Sequence, residues 1–364
     1  MAEVCVRATM NRLKPYILMI FLQFGYAGMY VISIVSLKKG INHFVLVVYR
    51  NAVAVAAIAP FAIWLERKGR PKMTPRIFIK ILIMALLEPV LDQNMYYVGT
   101  VFTSASFTAA LVNILPAITF LMAFIIGVEK VKIKSRRSQA KIIGTLVTVA
   151  GAILMIMYKG AVVDLPWTRG SNQHVVTDAG TQNERHWIMG TFMLLGSCTC
   201  WAAFFILQAN TLKSYPAELS LATLICTMGM IESASVALVM ERGLKPWLIG
   251  FDTRIFAALY SGIVCSGVTY YIQGIVMKER GPVFVTAFQP LCMIIVVVLG
   301  SIILAEKITV GTMTGAIIIV IGLYFLIWGK AKDHLIQSSQ KLPNVLNDTK
   351  KPATIEKYID ISTP

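Results

Sequence analysis

Four ionisable side chains, Arg50, Glu88, Asp92 and Glu232, fall inside long apolar stretches of this chain. A charge in hydrocarbon is costly, and it is retained where it faces a bundle interior, meets an opposite charge or carries a proton. Glu88 and Asp92 are four residues apart, which places them on one helix face, and Pro89 between them is expected to bend that helix by freeing a carbonyl. Counted from Arg76, Asp92 lies about 24 Å along its stretch, and Arg50 lies at a comparable depth, about 10 Å in from the end near His43. Arg50 is therefore expected to pair with Asp92, ahead of Glu88 and Glu232. Two chemistries fit such a group: an ion pair that fixes packing, or a carboxylate whose protonation is coupled to the movement of a solute.

Amides, tyrosines and prolines extend this set. The third stretch continues through Gln93, Asn94 and Tyr97, and the fourth holds Asn113 and Pro116. The eighth contains Tyr271 and Gln273, and the ninth Gln289 and Pro290. Amide side chains in hydrocarbon need partners or a wet cavity, and prolines open the local backbone. Singly, each residue fits interhelical hydrogen bonding; together, at matched places, they predict a binding site for a small organic solute between the two halves. A zwitterionic amino acid would find donors and acceptors in these amides and a nearby carboxylate, with Tyr97 and Tyr271 against its side chain.

Ten apolar stretches position these residues: 15–37, 43–65, 77–98, 107–128, 140–158, 187–209, 218–240, 255–277, 282–304 and 310–329. Hydrophobic residues make up 57% of the chain and charged residues 14%, a balance that suits lipid and not a soluble domain. The second five stretches echo the first at an offset of about 175 residues. Glu66-Arg67 recurs as Glu241-Arg242, Tyr96-Tyr97 then Pro116 as Tyr270-Tyr271 then Pro290, and Gly144, Gly151 and Lys159 as Gly315, Gly322 and Lys330. Five spans per unit is an odd number, so the two units must lie inverted. The fold class expected is all-α integral membrane, ten transmembrane helices as two inverted five-helix repeats. Residues 15–158 and 187–329 form the repeats, 1–14 and 330–364 the cytosolic N-terminus and a flexible cytosolic tail, and 159–186 an extracytosolic linker.

The distribution of the 34 Lys and Arg places both termini in the cytosol. The net charge of +16 reads as this topology and as attraction to anionic membrane lipid; nucleic-acid binding is not expected, since no basic run is interleaved with polar and aromatic residues. An enzyme is not expected either. The four histidines lie in loops or at span ends, and no His-Glu-x-x-His, Gly-x-Ser-x-Gly or phosphate-binding loop is present. The cysteines have neither metal spacing nor a disulfide pattern, and no cofactor or metal is expected. The Gly-rich and small-residue faces, such as Gly144 with Thr148 and Gly315 with Ile319, read as close helix contacts.

Several long strings carry a family resemblance. Leu91 to Gly99, Thr103-Ser104-Ala105-Ser106-Phe107, Asn113 to Phe120, Gly281 to Leu291 and the closing Gly322-Leu323-Tyr324 and Trp328-Gly329-Lys330 resemble the plant walls-are-thin-related, nodulin-like transporters, to which the amino-acid exporters called UMAMITs belong. The similarity runs from about residue 10 to 332, with one mild departure, Leu304-Ala305-Glu306 in place of Leu-Gly-Glu. The family sits in the drug/metabolite transporter superfamily with paired EamA units. The resemblance implies facilitated or proton-coupled movement of amino acids or related metabolites, in some members auxin, with the plasma membrane favoured over the vacuolar membrane. A small-molecule receptor or scaffold that binds without transport is the alternative class; the short polar tail offers it no signalling domain.

Overall fold

The computed structural model describes residues 2–38, 42–67, 69–103, 108, 111–129, 135–158, 161–163, 184–243, 247, 253–303 and 308–348. Lys159, most of the linker and the Leu304-Ala305-Glu306-Lys307 segment lie outside the described residues. In chain order the helices are α1 (Ala2–Lys38), α2 (His43–Leu65), α3 (Pro75–Ala85), α4 (Gln93–Phe102), α5 (Leu115–Ile125), α6 (Arg136–Met157), α7 (Glu184–Ser214), α8 (Glu218–Met240), α9 (Thr253–Tyr260), α10 (Thr269–Arg280), α11 (Pro282–Ala287), α12 (Gln289–Ile303) and α13 (Val310–Asp348). A π segment, Leu86–Asp92, joins α3 to α4 as one continuous span, and a second, Ser261–Val268, joins α9 to α10. Among the described residues these elements follow one another at the ten expected places, and six helices are long and apolar enough to cross a membrane. The protein is an all-α integral membrane protein, with one β feature among the described residues, a two-residue antiparallel pairing of Val162–Val163 with Ile308–Thr309.

Local chemistry explains the breaks between pieces. Asn42 caps α2 by accepting from the Phe44 amide at 2.9 Å. The fourth span is interrupted at Asn113-Ile114, two residues before Pro116, and the ninth at Phe288, two residues before Pro290. A proline lacks the amide that would bond back into the helix and disfavours helical backbone just before it, so each begins a new helix instead of continuing an old one. The last span does not end at Lys330, where a flexible tail is expected. It continues as helix to Asp348, because no helix-breaking residue intervenes before Pro343.

Contacts between the repeats obey an inverted two-fold relation. A Cβ on Gly144 would lie 2.7 Å from the Gly322 carbonyl, and one on Gly151 would lie 3.0 Å from the Gly315 carbonyl. These contacts pair α6 with α13 antiparallel, and exchanging the repeats maps each onto the other. The helices approach so closely that only hydrogen fits at those positions. The Glu-Arg repeat obeys the same relation. Glu66, at the end of α2, accepts from the Leu219 and Ser220 amides at the start of α8, at 3.0 and 2.7 Å. Glu241, just past the end of α8, accepts from the Asn42 side chain at the start of α2. Each carboxylate therefore sits at the positive end of the other repeat's helix, and the pair locks α2 and α8 antiparallel.

Away from this axis, one end of the bundle is tied by a buried cluster. Glu129 accepts from Lys141 at 2.7 Å and from Lys330 at 2.5 Å, joining α6 and α13 to the turn after α5. Burial alone would raise the Glu129 carboxyl, but the Lys330 and Lys141 charges outweigh it and hold it below the usual carboxylate range.

Candidate functional site

The two π segments occupy equivalent positions in the repeats, since Leu86 and Ser261 are 175 residues apart. A π turn inserts one extra residue, so side chains reach partners five positions away: Thr269 Oγ1 donates to the Val264 carbonyl at 2.8 Å, and Gln93 Nε2 to Glu88 Oε1 at 3.3 Å. Both segments pack against the facing helix through a glycine. A Cβ on Gly229 of α8 would meet Pro89 Cγ at 2.8 Å, while one on Gly262 would meet the Arg50 carbonyl of α2 at 2.6 Å. The same crossing is made twice, with the small residue on opposite partners.

Arg50, Glu88 and Asp92 are 6%, 5% and 7% exposed. Arg50 does not meet Asp92. Its Nε donates to Ser266 Oγ at 2.7 Å, and Nη2 lies 3.9 Å from Glu88 Oε1. Glu88 also accepts from the Tyr270 hydroxyl of α10. Asp92 turns to α7 instead, where Ser197 Oγ donates to its Oδ1 at 2.5 Å. The expectation that Glu88 and Asp92 share one face assumed α-helical spacing; the wider turn rotates one toward α2 and α10 and the other toward α7. Glu232 makes no ion pair with Arg50 among the described residues, and its Oε2 is buried without a hydrogen bond. Among the described residues the site thus holds one cation and two carboxylates, and the cation is in contact with only one of them.

A narrow cleft with room for about one water molecule lies beside this group, lined by Met29 and Ile32 of α1, Leu46, Val47 and Arg50 of α2, Gln93 and Tyr97 of α4, Ala257 and Tyr260 of α9, and Ser261. Tyr97 continues an aromatic wall, 5.6 Å from Tyr96 and 5.4 Å from His43, ring to ring. The cleft occupies the half of the bundle nearest Asn42. The opposite half is filled by aromatic packing: Tyr16 lies 5.3 Å from Phe284, which lies 5.2 Å from Phe288, and the Arg280 guanidinium sits 5.8 Å over Tyr16.

Of the residues singled out by sequence, the structure brings Arg50, Gln93 and Tyr97 to the cleft, with Glu88 directly behind them. Others serve packing. Asn94 donates to the Val90 carbonyl of its own helix at 2.7 Å, Gln273 to the Tyr26 hydroxyl at 2.8 Å, and Asn113 lies 2.8 Å from Met293 Sδ, where the fourth and ninth spans meet. Tyr271 packs against the apolar core, while Gln289, Pro116 and Pro290 are buried at the helix breaks. The cleft is lined from the first, second, third and eighth spans, whereas the sequence expectation placed the lining on the third, fourth, eighth and ninth. Sequence reasoning missed Ser197, Ser266 and Tyr270. Repeat symmetry held a signal for two of them: at an offset of 174, Ser266 corresponds to Asp92 and Tyr270 to Tyr96.

Two inverted helical repeats packed around a buried, charged and narrow cleft define a multi-pass membrane protein. A model described as the EamA-like transporter family matches residues 13–157 and again residues 188–328, and the chain belongs to that family. Its relatives include Arabidopsis thaliana WAT1-related protein At1g21890, 55% identical over 90% of this chain and 86% of the relative, and WAT1-related protein At4g08300, 53% identical over 92% and 90%. WAT1-related protein At4g08290 is 48% identical over 99% of this chain and 97% of its own. A solved crystal structure of a protein 13% identical to this chain superposes with a TM-score of 0.62 over 85% of this chain and 98% of its own, a likeness of fold alone.

Proposed function

We propose that this protein is a secondary carrier that moves amino acids or related small organic metabolites by alternating access between its two repeats. The observation that carries this reading is the cleft at the repeat interface, where a buried guanidinium, backed by a carboxylate, and an amide with an unsatisfied oxygen line a narrow space walled by tyrosine. A structural ion pair alone would need no cleft beside it. The reading places both termini in the cytosol and the protein in the plasma membrane. Efflux of preloaded radiolabelled amino acids from oocytes expressing the chain at the surface tests it. At least one amino acid should leave faster than from control cells; no change in efflux or uptake for any of the twenty would refute the reading.

Movement is either facilitated or coupled to protons, and Asp92 separates the two. It has a hydroxyl partner and no cation in contact among the described residues, so it is the group we assign to the proton. Asp92→Asn should abolish any pH dependence of net transport while solute exchange persists. PH dependence that survives the change would assign the coupling elsewhere, and a pH-independent parent would make the protein a facilitator.

A further inference from the structure

We propose that Arg50 and Gln93 form a two-point clamp for an α-amino acid: the solute's carboxylate docks on the terminal nitrogens of the Arg50 guanidinium, and its ammonium donates to the Gln93 side-chain carbonyl. The proposal rests on the carrier reading and names how that site recognises its solute.

The donor half follows from what Arg50 leaves unused. A guanidinium carries five N–H donors in a flat fork, and only Nε is bonded, to Ser266 at 2.7 Å. Nη2 stands 3.9 Å from Glu88, too far for a hydrogen bond, and neither terminal nitrogen has a hydrogen-bond partner among the described residues. The residue is more than nine-tenths buried and lines the cleft. Ser266 holds the guanidinium from behind by its Nε, so the fork is pre-oriented for a planar, bidentate anion.

The acceptor half follows from Gln93. A carboxylate only accepts, so the bond to Glu88 assigns Nε2 to that side and turns Oε1 away from it. Oε1 is buried and receives no hydrogen bond, and Gln93 lines the same cleft as Arg50. Glu88 is already engaged by Tyr270 and Gln93, and its charge offsets that of Arg50. A zwitterion enters such a pair without changing the net charge of the site. An amine would face Arg50 with no anion to offer, and an amide would lose the bidentate, charge-assisted contact.

Counterflow into proteoliposomes holding the purified full chain tests this, with each of the twenty amino acids as labelled probe. For an acid that exchanges, its primary amide and its decarboxylated amine should compete at least tenfold more weakly than the acid itself. Arg50→Lys keeps a cation beside Glu88 but loses the fork, and should weaken the acid by tenfold or more. In the neutral pair Arg50→Gln/Glu88→Gln, the preference for acid over amide should shrink to within twofold. Gln93→Leu should weaken the amino acid while its deaminated analogue competes as before. The clamp is overturned if amide and acid compete equally in the parent, or if the neutral pair keeps the full preference; exchange itself would then still support a carrier. No exchange of any amino acid by folded protein would overturn the carrier reading and the clamp together.

Discussion

The two π segments are built alike and charged differently. Each interrupts the third helix of its repeat at the same place, crosses the other repeat's second helix through a glycine, and is followed by a Tyr-Tyr pair. Yet the first carries Glu88, Pro89 and Asp92, whereas the second carries Ser261, Gly262, Cys265 and Ser266. The second repeat answers the charges of the first with hydroxyls: Ser266 on Arg50, Tyr270 on Glu88 and Ser197 on Asp92. The backbone is thus symmetric, as the proposed exchange between two access states would require, and the side chains are asymmetric, as the proposed holding of one solute in one orientation would require.

The largest effect should come from breaking that division of labour on its charged side. Arg50→Gln leaves Glu88 buried without a cation and should cost about 4 kcal/mol of stability in detergent, partly restored by adding Glu88→Gln. Ser266→Ala removes a neutral partner from the same guanidinium and should cost about 1.5 kcal/mol. Thermal unfolding of purified variants measures both, and equal losses would mean that the repeats share the charge.

A smaller effect should follow at the Glu129 cluster, which ties the two repeats away from the π segments. Glu129→Gln removes the carboxylate charge shared by the buried Lys141 and by Lys330 and should cost about 3 kcal/mol at neutral pH. The Glu129 carboxyl is held below its unfolded value, so its contribution is complete above the ordinary carboxylate range and is lost as pH falls through the depressed folded value. Parent and variant should therefore converge on acidification, and a gap that persisted at low pH would exclude the ion pair as its cause.

The smallest effects should sharpen the comparison where symmetry holds. Glu66→Gln and Glu241→Gln each weaken one interlock between α2 and α8 and should cost about 1 kcal/mol, with Glu66 the larger because it accepts from two backbone amides. Unfolding midpoints in matched detergent decide the order. A much larger loss at Glu241 would show that the two ends are not equivalent.

Much of the fold was legible because it follows from counting. Five spans per repeat force inversion, and the paired glycines mark a close crossing whatever their neighbours. The buried charges were legible as well, since a carboxylate in an apolar run stands out. Their partners were not. The depth argument matched Arg50 to Asp92 by α-helical rise, but a π turn adds a residue and redirects every side chain after it. Pro89 hinted at the first π segment; the second has no proline, only Ser261, Gly262, Ser266 and Gly267, small residues that fit a close helix contact as readily as a π turn. Met29, Ile32, Leu46 and Val47 line the cleft with side chains that would serve equally against lipid, so the contribution of α1 and α2 could not be read from residue type.

On the proposed carrier reading, the solute route runs along the charged π segment and not its neutral counterpart. Tyr97 and Tyr271 are repeat equivalents, one on the cleft and the other against the core, and they report on it directly. In a cysteine-free background, Tyr97→Cys should react with a membrane-impermeant thiol reagent applied to the face that carries Asn42, and transported solute should protect it. Tyr271→Cys should stay unreactive from that face. Equal labelling of the two positions from that side, or labelling of Tyr97→Cys that solute does not slow, would contradict the claim.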